Sequence, residues 1–206
     1  MALKLEPGAR LVVATHNPGK ARELAAILDN RFELVTAGAL GLAEPEETEA
    51  TFTGNALLKA RTAADASGLV ALADDSGLSV AALNGDPGVY SARFAGPGCS
   101  FDDNNRKLLR LLRGVPRAKR RAVFRTVVAA VFPDGREKLF DGRCIGWITD
   151  TVQGEHGFGY DPVFAPGRSR RTFAEIPLAQ KNRVSHRARA FQKARSSLLK
   201  TFRRAR

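Results

Sequence analysis

The sequence predicts a mixed α/β protein, because apolar runs typical of strands and amphipathic segments typical of helices are interspersed along the chain. At 206 residues the chain is long enough for a full core, as one large domain or as two closely packed lobes. Apolar residues make up 44% and charged residues 26%, which are ordinary values for a globular protein and do not indicate disorder. We therefore expect residues 1–206 to form a single domain.

The first part of the chain predicts two strands and two helices. In chain order they are a strand at 11–15, a helix at 18–28, a strand at 32–35 and a helix at 51–66. Asn17 is a good N-cap and Pro18 suits the first helical position. Ser67-Gly68 is expected to stop the second helix.

The second part predicts a helix, a β-hairpin and a last helix. The elements are a helix that starts after Ser100 and stops at Gly114 and Pro116, strands at 122–132 and 138–149, and a helix that starts after Ser185. Pro133-Asp134-Gly135 forms the turn between the two strands. The apolar side of the last helix is expected to carry Ala188, Phe191, Leu198 and Phe202.

Two adjacent carboxylates, Asp74 and Asp75, follow the apolar run at 69–73. We expect the strand to end at this pair, with a turn at Ser76-Gly77 and a further short strand at 78–80. Neighbouring residues on a strand point to opposite faces, so the two carboxylates should have different roles. They repel each other unless a cation or hydrogen-bond donors compensate. Taken alone, the pair is more typical of an ordinary turn than of a functional site.

Charged residues near the first two helices also suggest a ligand. Lys20 falls in the first turn of its helix, where free amides and an ammonium would form a phosphate cradle, although the Walker spacing is absent. Most strand-to-helix turns bind nothing, so this motif is weak by itself. Glu46 and Glu47 precede the second helix, whose positive end gives them a structural explanation, and Lys59 lies near its middle.

Glycines and aromatic residues alternate over residues 157–164. Such a segment suits a loop that presents rings for stacking on a flat base, although a packed turn with a tyrosine hydroxyl is an equally good interpretation. Lys181, His186 and Arg187 place positive charge before and within the first turn of the last helix. Cations are unfavourable at a helix start, and departures of this kind tend to mark function.

The charge balance favours anionic partners. Lys and Arg number 33 against 21 Asp and Glu, a net charge of +12, and no acidic residue follows Glu175. A nucleic acid or a free phosphorylated ligand would suit this balance, although a solvated basic helix face explains the last residues at least as well. We expect a cytoplasmic protein without a membrane span, since Cys99 and Cys144 lack ligand-like spacing and suit a reducing compartment.

An enzyme that acts on nucleotide phosphates needs three kinds of group: carboxylates for Mg²⁺, cations for the phosphates and aromatic rings for the base. This sequence contains all three. The motifs, in order, are Ala14-Thr15-His16-Asn17-Pro18-Gly19-Lys20 with Glu23, Glu46-Glu47-Thr48 with Phe52 and Asn55-Ala56, Lys59-Ala60, Ala73-Asp74-Asp75-Ser76-Gly77-Leu78, Tyr90-Ser91-Ala92-Arg93, Gly157 to Phe164, and Ser185-His186-Arg187. Over nearly the whole chain this series resembles the noncanonical purine NTP pyrophosphatases, also called the inosine triphosphate pyrophosphatase or dITP/XTP pyrophosphatase family.

The resemblance implies a homodimeric, Mg²⁺-dependent enzyme that hydrolyses ITP, dITP and XTP to the monophosphate and pyrophosphate. It also implies an elongated mixed β-sheet flanked by helices, with an active-site cleft between two lobes. His16 and Glu49 depart from the family pattern, because a small residue is expected at the first position and glycine at the second.

The resemblance further implies a role for each motif residue. The triphosphate would be held by Thr15, His16, Asn17, Pro18, Gly19, Lys20 and Lys59. The metal would be held by Asp75 together with Glu46 or Glu47. Asp74 would support this site or make a second metal contact. Asp75 would also accept a proton. Substrate would be touched by Ser76, and the base pocket formed by Phe158, Gly159, Tyr160 and Asp161 and completed by Lys181, His186 and Arg187.

Two other functions compete with this interpretation. A nucleic-acid-binding module could use the Arg-rich C-terminal helix, but the clusters Glu46-Glu47 and Asp74-Asp75 would repel a phosphate backbone without metal. A related pyrophosphatase of modified pyrimidine nucleotides is the closer alternative. We therefore expect a small-molecule nucleoside triphosphate as the partner, with no specific nucleic acid and no membrane.

Overall fold

In the computed structural model, the residues described are 5–6, 8–28 and 31–199. Their helices and strands are β1 (Arg10–Val13), α1 (Pro18–Leu28), β2 (Glu33–Thr36), α2 (Phe52–Ser67), β3 (Val70–Val80), α3 (Phe101–Leu111), β4 (Arg121–Val131), β5 (Glu137–Ile148), β6 (Phe164–Pro166), α4 (Leu178–Val184) and α5 (His186–Leu199). Short 3-10 turns lie between several of them. The predicted mixed α/β class is confirmed.

The strands form a six-stranded sheet in the order β2-β1-β3-β4-β5-β6. β1 is parallel to both of its neighbours, with Leu11 opposite Leu34 on β2 and Val70 on β3. β5 and β6 are antiparallel, with Trp147 opposite Ala165. The sheet is therefore mixed. Where β1 and β3 pair, both strands consist of buried apolar residues, Leu11, Val12 and Val13 opposite Val70, Ala71 and Leu72.

β3 is a single strand of eleven residues, so the predicted break at Ser76-Gly77 is wrong. Asp74 and Asp75 lie within the strand and are only 3% and 6% exposed. The Ser76 hydroxyl shares a hydrogen bond of 2.7 Å with the Thr126 hydroxyl of β4. Because two lysines compensate the carboxylates and the hydroxyl has a partner, the chain need not turn out to solvent, and tertiary contacts override the turn propensity.

Local capping explains why the predicted helix boundaries hold. The Thr51 hydroxyl accepts a hydrogen bond of 3.0 Å from the amide of Gly54, and α2 ends at Gly68 with a φ of 66°. Ser100 and Asp103 form a reciprocal capping box at the start of α3. These polar side chains satisfy amides that the first helical turn leaves unpaired.

Two short elements were not predicted. β6 has three residues and α4 has seven, and neither is long enough to show a periodic apolar pattern. β1 ends at Val13, two residues earlier than expected. Phe202, expected on the apolar side of the last helix, lies outside the described residues.

The chain divides into two compact units, each with its own core. Unit 1 comprises the described parts of residues 1–75, 127–141 and 188–206, and unit 2 comprises residues 76–126 and 142–187. The largest buried side chains of the first core are Leu11, Leu24, Leu28, Leu72, Phe191 and Leu198. Those of the second core are Leu78, Leu108, Leu112, Ile148, Phe164 and Phe173. Within the described residues, no helix has the length and apolar character needed to cross a membrane.

Candidate active site

In unit 1, each of the paired aspartates faces a lysine. The ammonium of Lys20 on α1 lies 3.5 Å from Asp74 Oδ2, and the ammonium of Lys59 on α2 lies 3.8 Å from Asp75 Oδ1. The lysines come from different helices, as expected for neighbouring strand residues that point to opposite faces. The predicted division of roles between the two carboxylates therefore has a geometric basis.

Lys59 links two carboxylates. Besides Asp75, its ammonium donates a hydrogen bond of 2.7 Å to Glu47 Oε1. Burial alone would lower the pKa of Lys59, but the negative charges of Asp75, Glu47 and Asp74 outweigh burial and raise it. Lys59 is therefore a permanent positive charge among buried acids.

The pKa of Asp75 is raised above its ordinary value of 3.8. Burial is the main cause and the charge of Glu47 adds to it, while Lys59, Lys20 and the amide of Asn55 act in the opposite direction. Because burial outweighs the two lysines in setting this pKa, the Asp75 carboxylate is a better proton acceptor than an exposed aspartate.

Asn55 orients Asp75. Its Nδ2 donates a hydrogen bond of 3.1 Å to Asp75 Oδ2, while its Oδ1 accepts one of 3.0 Å from the amide of Glu49. Asn55 is 1% exposed and lies on the apolar face of α2 beside Phe52 and Ala56. No role was predicted for Asn55, although a lone amide on an apolar helix face is a signal for such a residue.

The loop between β1 and α1 is internally hydrogen bonded. The Thr15 hydroxyl accepts a bond from the amide of Asn17, and Asn17 Oδ1 accepts bonds of 2.8 and 3.1 Å from the amides of Gly19 and Lys20. Pro18 has no amide hydrogen. The expectation of free amides at this helix start is therefore wrong, and the Lys20 ammonium is the group that can meet a phosphate.

His16, expected to touch the triphosphate, is exposed and contacts the following loop. Its Nε2 donates a hydrogen bond of 2.8 Å to the carbonyl of Leu42, and its Nδ1 lies 3.4 Å from a Glu44 carboxylate oxygen. A Cβ added at Gly38 would lie 3.5 Å from Cδ2 of the ring, so the ring lies beside this glycine. His16 thus fastens residues 38–44 to the β1–α1 loop.

Glu46 and Glu47, the predicted metal ligands of the acidic loop, differ in environment. Glu47 is half-buried and bonded to Lys59, whereas Glu46 is exposed. Among the described residues, no group of three or more His, Cys, Asp and Glu side chains is arranged to hold a metal ion. Glu47 and Asp75, which share the Lys59 ammonium, are the acids that could approach a common cation.

In unit 2, Arg187 reaches both Ser76 and an aromatic ring. Its Nη2 donates a long hydrogen bond of 3.4 Å to the Ser76 hydroxyl, and its guanidinium carbon lies 5.2 Å from the centroid of Phe158. Arg187 is 3% exposed. A buried guanidinium beside a ring offers hydrogen-bond donors in a fixed plane.

The glycine-aromatic segment forms a loop fixed by Asp161. This buried carboxylate accepts a hydrogen bond of 2.9 Å from the amide of Phe158 and one of 2.5 Å from the ammonium of Lys181. Gly157, at a φ of +79°, has no room for a Cβ, which would overlap with Asp161 Oδ2. Asp161 and Lys181 therefore hold the loop in shape.

The two rings predicted to be presented by this loop differ in placement. Phe158 is half-buried, with the Lys181 ammonium 5.0 Å from its centroid. Tyr160 belongs to the core of unit 2, and its hydroxyl donates a hydrogen bond of 2.9 Å to the carbonyl of Ser91. Burial raises the pKa of the Tyr160 phenol far above its ordinary value, so it remains a donor. For Tyr160 the structure agrees with the alternative interpretation, a packed turn with a tyrosine hydroxyl, because that ring lies in the core.

His186 likewise lies inside unit 2. Its ring stacks on Phe124 at 4.4 Å between centroids and 6° between planes, and it is 3% exposed. Thr126, whose hydroxyl shares a hydrogen bond with that of Ser76, is fully buried on β4 and was not predicted. The signal for it was a hydroxyl side chain beside the apolar run at 127–131.

Comparisons with known proteins give a consistent result. A family model described as the Ham1 family matches residues 11–197. The chain is 54% identical over 191 residues to a dITP/XTP pyrophosphatase of Caulobacter vibrioides, covering 93% of this chain and 98% of that protein. It is 47% identical over 191 residues to a dITP/XTP pyrophosphatase of Gluconobacter oxydans, covering 92% and 91% of the two chains.

A solved structure has the same fold. The Ham1 protein of Staphylococcus aureus matches with a TM-score of 0.80 and 39% identity, covering 92% of this chain and 97% of that one. The range matched by the family model, residues 11–197, includes residues of both units and all of the candidate site residues.

Proposed function

The chain belongs to the Ham1 family, and from this premise we propose that it is a dITP/XTP pyrophosphatase that also accepts ITP. It is a nucleoside-triphosphate pyrophosphatase, a hydrolase of acid anhydrides, as its curated relatives are named. The products are the nucleoside monophosphate and pyrophosphate.

The group formed by Asp75, Lys59 and Glu47 carries this proposal. Lys59 contacts both acids, and Lys20 lies beside the neighbouring Asp74. Fixed cations next to buried carboxylates suit a reaction in which phosphate oxygens are bound and a water molecule is activated. A site that only bound nucleic acid would have no use for buried acids, since they repel phosphates.

Asp75 is the base in the proposed reaction. It accepts a proton from the water whose oxygen attacks the α-phosphorus, and the bond from that phosphorus to the bridging oxygen breaks as pyrophosphate leaves. Its raised pKa makes it a better proton acceptor than an exposed aspartate. Lys20 and Lys59 bind and orient the phosphate chain, while Asn55 holds the carboxylate in place.

The acidic groups also fit Mg²⁺, because carboxylate oxygens are the hard ligands that this ion prefers. Asp75 and Glu47 would hold it, with Asp74 in support. A bound Mg²⁺ supplies charge neutralisation on the phosphate oxygens. The observation in favour is that the carboxylates of Glu47 and Asp75 lie 2.7 and 3.8 Å from the same Lys59 ammonium and are therefore close to each other.

Base selection is assigned to Arg187 in this proposal. Its guanidinium donates hydrogen bonds and would meet the 6-keto oxygen of hypoxanthine or xanthine, whereas the 6-amino group of adenine would face a donor. A buried polar group left unpaired costs about 1–3 kcal/mol, which gives roughly tenfold to hundredfold rejection. His186 is less suited to this role, because its ring stacks on Phe124.

A homodimer in the cytoplasm completes the proposal. Cys99 and Cys144 are both free thiols, as a reducing compartment requires. Sedimentation of the purified protein tests the dimer, and a monomer at micromolar concentration would contradict it.

A substrate panel tests the function. The protein is incubated with Mg²⁺ and either dITP, XTP, ITP, ATP, GTP or dUTP, and pyrophosphate is measured separately from orthophosphate. We expect pyrophosphate from the first three nucleotides and little from the others. Release of orthophosphate, or a preference for ATP, GTP or dUTP, would overturn the proposal.

A further inference from the structure

Asn105 on α3 uses only one end of its side chain. Its Nδ2 donates a hydrogen bond of 2.9 Å to the carbonyl of Gly159, whereas its Oδ1 is buried without a hydrogen-bond partner among the described residues. Turning the amide over would place Oδ1 against the Gly159 carbonyl, which is also an acceptor, so the orientation is settled. Asn105 is 3% exposed, and an unpaired acceptor at such a position is unfavourable.

The neighbouring Asn104 shows what a purely structural asparagine does in this helix. It is 2% exposed, its Nδ2 donates to the carbonyl of Ala92 at 3.1 Å, and its Oδ1 accepts from the amide of Ala95 at 2.7 Å. Both ends of Asn104 are satisfied. The Oδ1 of Asn105 makes no hydrogen bond within the part of the chain that the structure describes and is a cost to stability. We therefore infer that the bond from Nδ2 to Gly159 is what favours asparagine at this position.

That bond holds the backbone beside Phe158. Gly159 has a φ of +64° and follows Phe158 directly. On one side of Gly159, the Phe158 amide donates to Asp161, and on the other side the Tyr160 hydroxyl donates to Ser91. Asn105 binds the carbonyl of Gly159 itself. The loop is therefore fastened on both sides of the Phe158 ring.

A second side chain of α3 meets the same loop. Phe101 lies four residues before Asn105, so the two share a helix face, and its ring centroid is 6.2 Å from that of Phe158. One face of α3 thus contacts two successive loop residues, Phe158 through a ring and Gly159 through an amide.

We propose that Asn105 is a positioning residue that holds the 157–161 loop so that Phe158 can stack on the purine base. The proposal rests on the proposed function, because only a base-binding loop has such a ring to hold. Stacking reads the flat face of a base rather than its edge. Loss of the hold should therefore weaken binding of all accepted bases alike, with little effect on the chemical step.

The test compares Asn105→Leu with the matched control Asn104→Leu. For Asn105→Leu we expect the KM for dITP and XTP to rise on the order of tenfold, with kcat within about twofold of the wild type. Hydrogen exchange of the amides in residues 157–161 should become faster. The Tm should stay within about 3 °C, because leucine also removes the unpaired oxygen.

The control should show the opposite pattern. Asn104→Leu leaves two backbone groups without partners, so its Tm should fall clearly, whereas the KM of the folded enzyme should stay within about twofold. Asn105→Ala repeats the test with a side chain that cannot overfill the site, and it should give the same rise in KM and the same faster exchange.

Unchanged KM in both Asn105 variants would overturn the proposal, whether or not exchange becomes faster. Unchanged exchange together with a raised KM would overturn it as well, because the loop would then not be what Asn105 holds. If the wild type cleaves none of the nucleotides, the proposed function fails. Exchange at residues 157–161 then still decides whether Asn105 fastens the loop.

Discussion

The ammonium of Lys59 lies 3.8 Å from the carboxylate of Asp75, and both side chains are buried. The same ammonium donates a hydrogen bond of 2.7 Å to Glu47, so it is shared between two carboxylates. Asp75 is thus close to a positive charge without being neutralised by it, and its pKa is raised by burial. This arrangement leaves a carboxylate available for chemistry at a cost in stability.

The first prediction concerns Asp75→Asn and activity. The amide cannot accept a proton from water, so we expect turnover of dITP to fall by about 10²–10⁴-fold with the fold retained. Circular dichroism checks the fold and pyrophosphate release checks the turnover. Near-normal turnover in the folded variant would contradict the role of Asp75. Asp65→Asn, at an exposed position of α2, is the control and should keep full activity.

The second prediction concerns the same variant and stability. Because the pKa of Asp75 is raised above 3.8 in the folded protein, the folded state binds this proton more tightly than the unfolded chain. The contribution of Asp75 to the free energy of unfolding therefore falls as pH rises through the window between 3.8 and the raised value, and stays low above it.

Asparagine does not titrate, so the stability of Asp75→Asn relative to the wild type should rise with pH over that window. Urea denaturation of both proteins between about pH 4 and pH 7 measures the difference. If the free energy of unfolding of Asp75→Asn minus that of the wild type is constant or falls with increasing pH, the pKa of Asp75 is not raised. Asp65→Asn should run parallel to the wild type throughout.

The third prediction concerns Mg²⁺. If Asp75 and Glu47 hold the ion, Mg²⁺ at about 100 times its Kd stabilises the folded state by about 2.7 kcal/mol and should raise the Tm by about 5–10 °C. Asp75→Asn should lose most of this shift. Thermal unfolding with and without Mg²⁺ is the measurement, and equal shifts in the two proteins would place the ion elsewhere.

The fourth prediction compares two glycines of the 157–161 loop. Both have positive φ, but a Cβ at Gly157 overlaps with Asp161 Oδ2, whereas a Cβ at Gly159 meets no atom within 4 Å. Gly159→Ala should cost about 1–2 kcal/mol for its backbone conformation alone. Gly157→Ala must also displace Asp161 from Lys181, and breaking a buried pair costs about 3–5 kcal/mol. Denaturant unfolding measures both, and equal costs would contradict the prediction.

The fifth prediction concerns Arg187 and base choice. Arg187→Ala removes the donors assigned to the 6-keto oxygen, so the preference for ITP over ATP, as a ratio of kcat/KM, should fall by roughly tenfold to hundredfold. Competition between the two nucleotides measures it. An unchanged preference would count against Arg187. Arg183→Ala, at an exposed position of α4, should leave the preference intact.

Helix boundaries were largely predictable, because their determinants are close in sequence. Asn17, Thr51 and Ser100 each accept a hydrogen bond from an amide two or three residues ahead, and Gly68 ends α2 through its own left-handed conformation. Such contacts join residues that are close in sequence, so a short stretch is enough to predict them. β4 was predictable for the same reason, because its apolar pattern lies within the strand itself.

The sequence by itself therefore determined the mixed α/β class, the helix ends and the presence of paired carboxylates. Only the tertiary structure decided that Asp74 and Asp75 lie within a continuous strand, since the lysines that compensate them lie 54 and 16 residues away along the chain. It likewise placed Tyr160 in the core and Asn105 against Gly159. The physical reason is that burying a polar group costs free energy unless it has a hydrogen-bond or charge partner. When that partner lies on a distant element, the local sequence does not predict it.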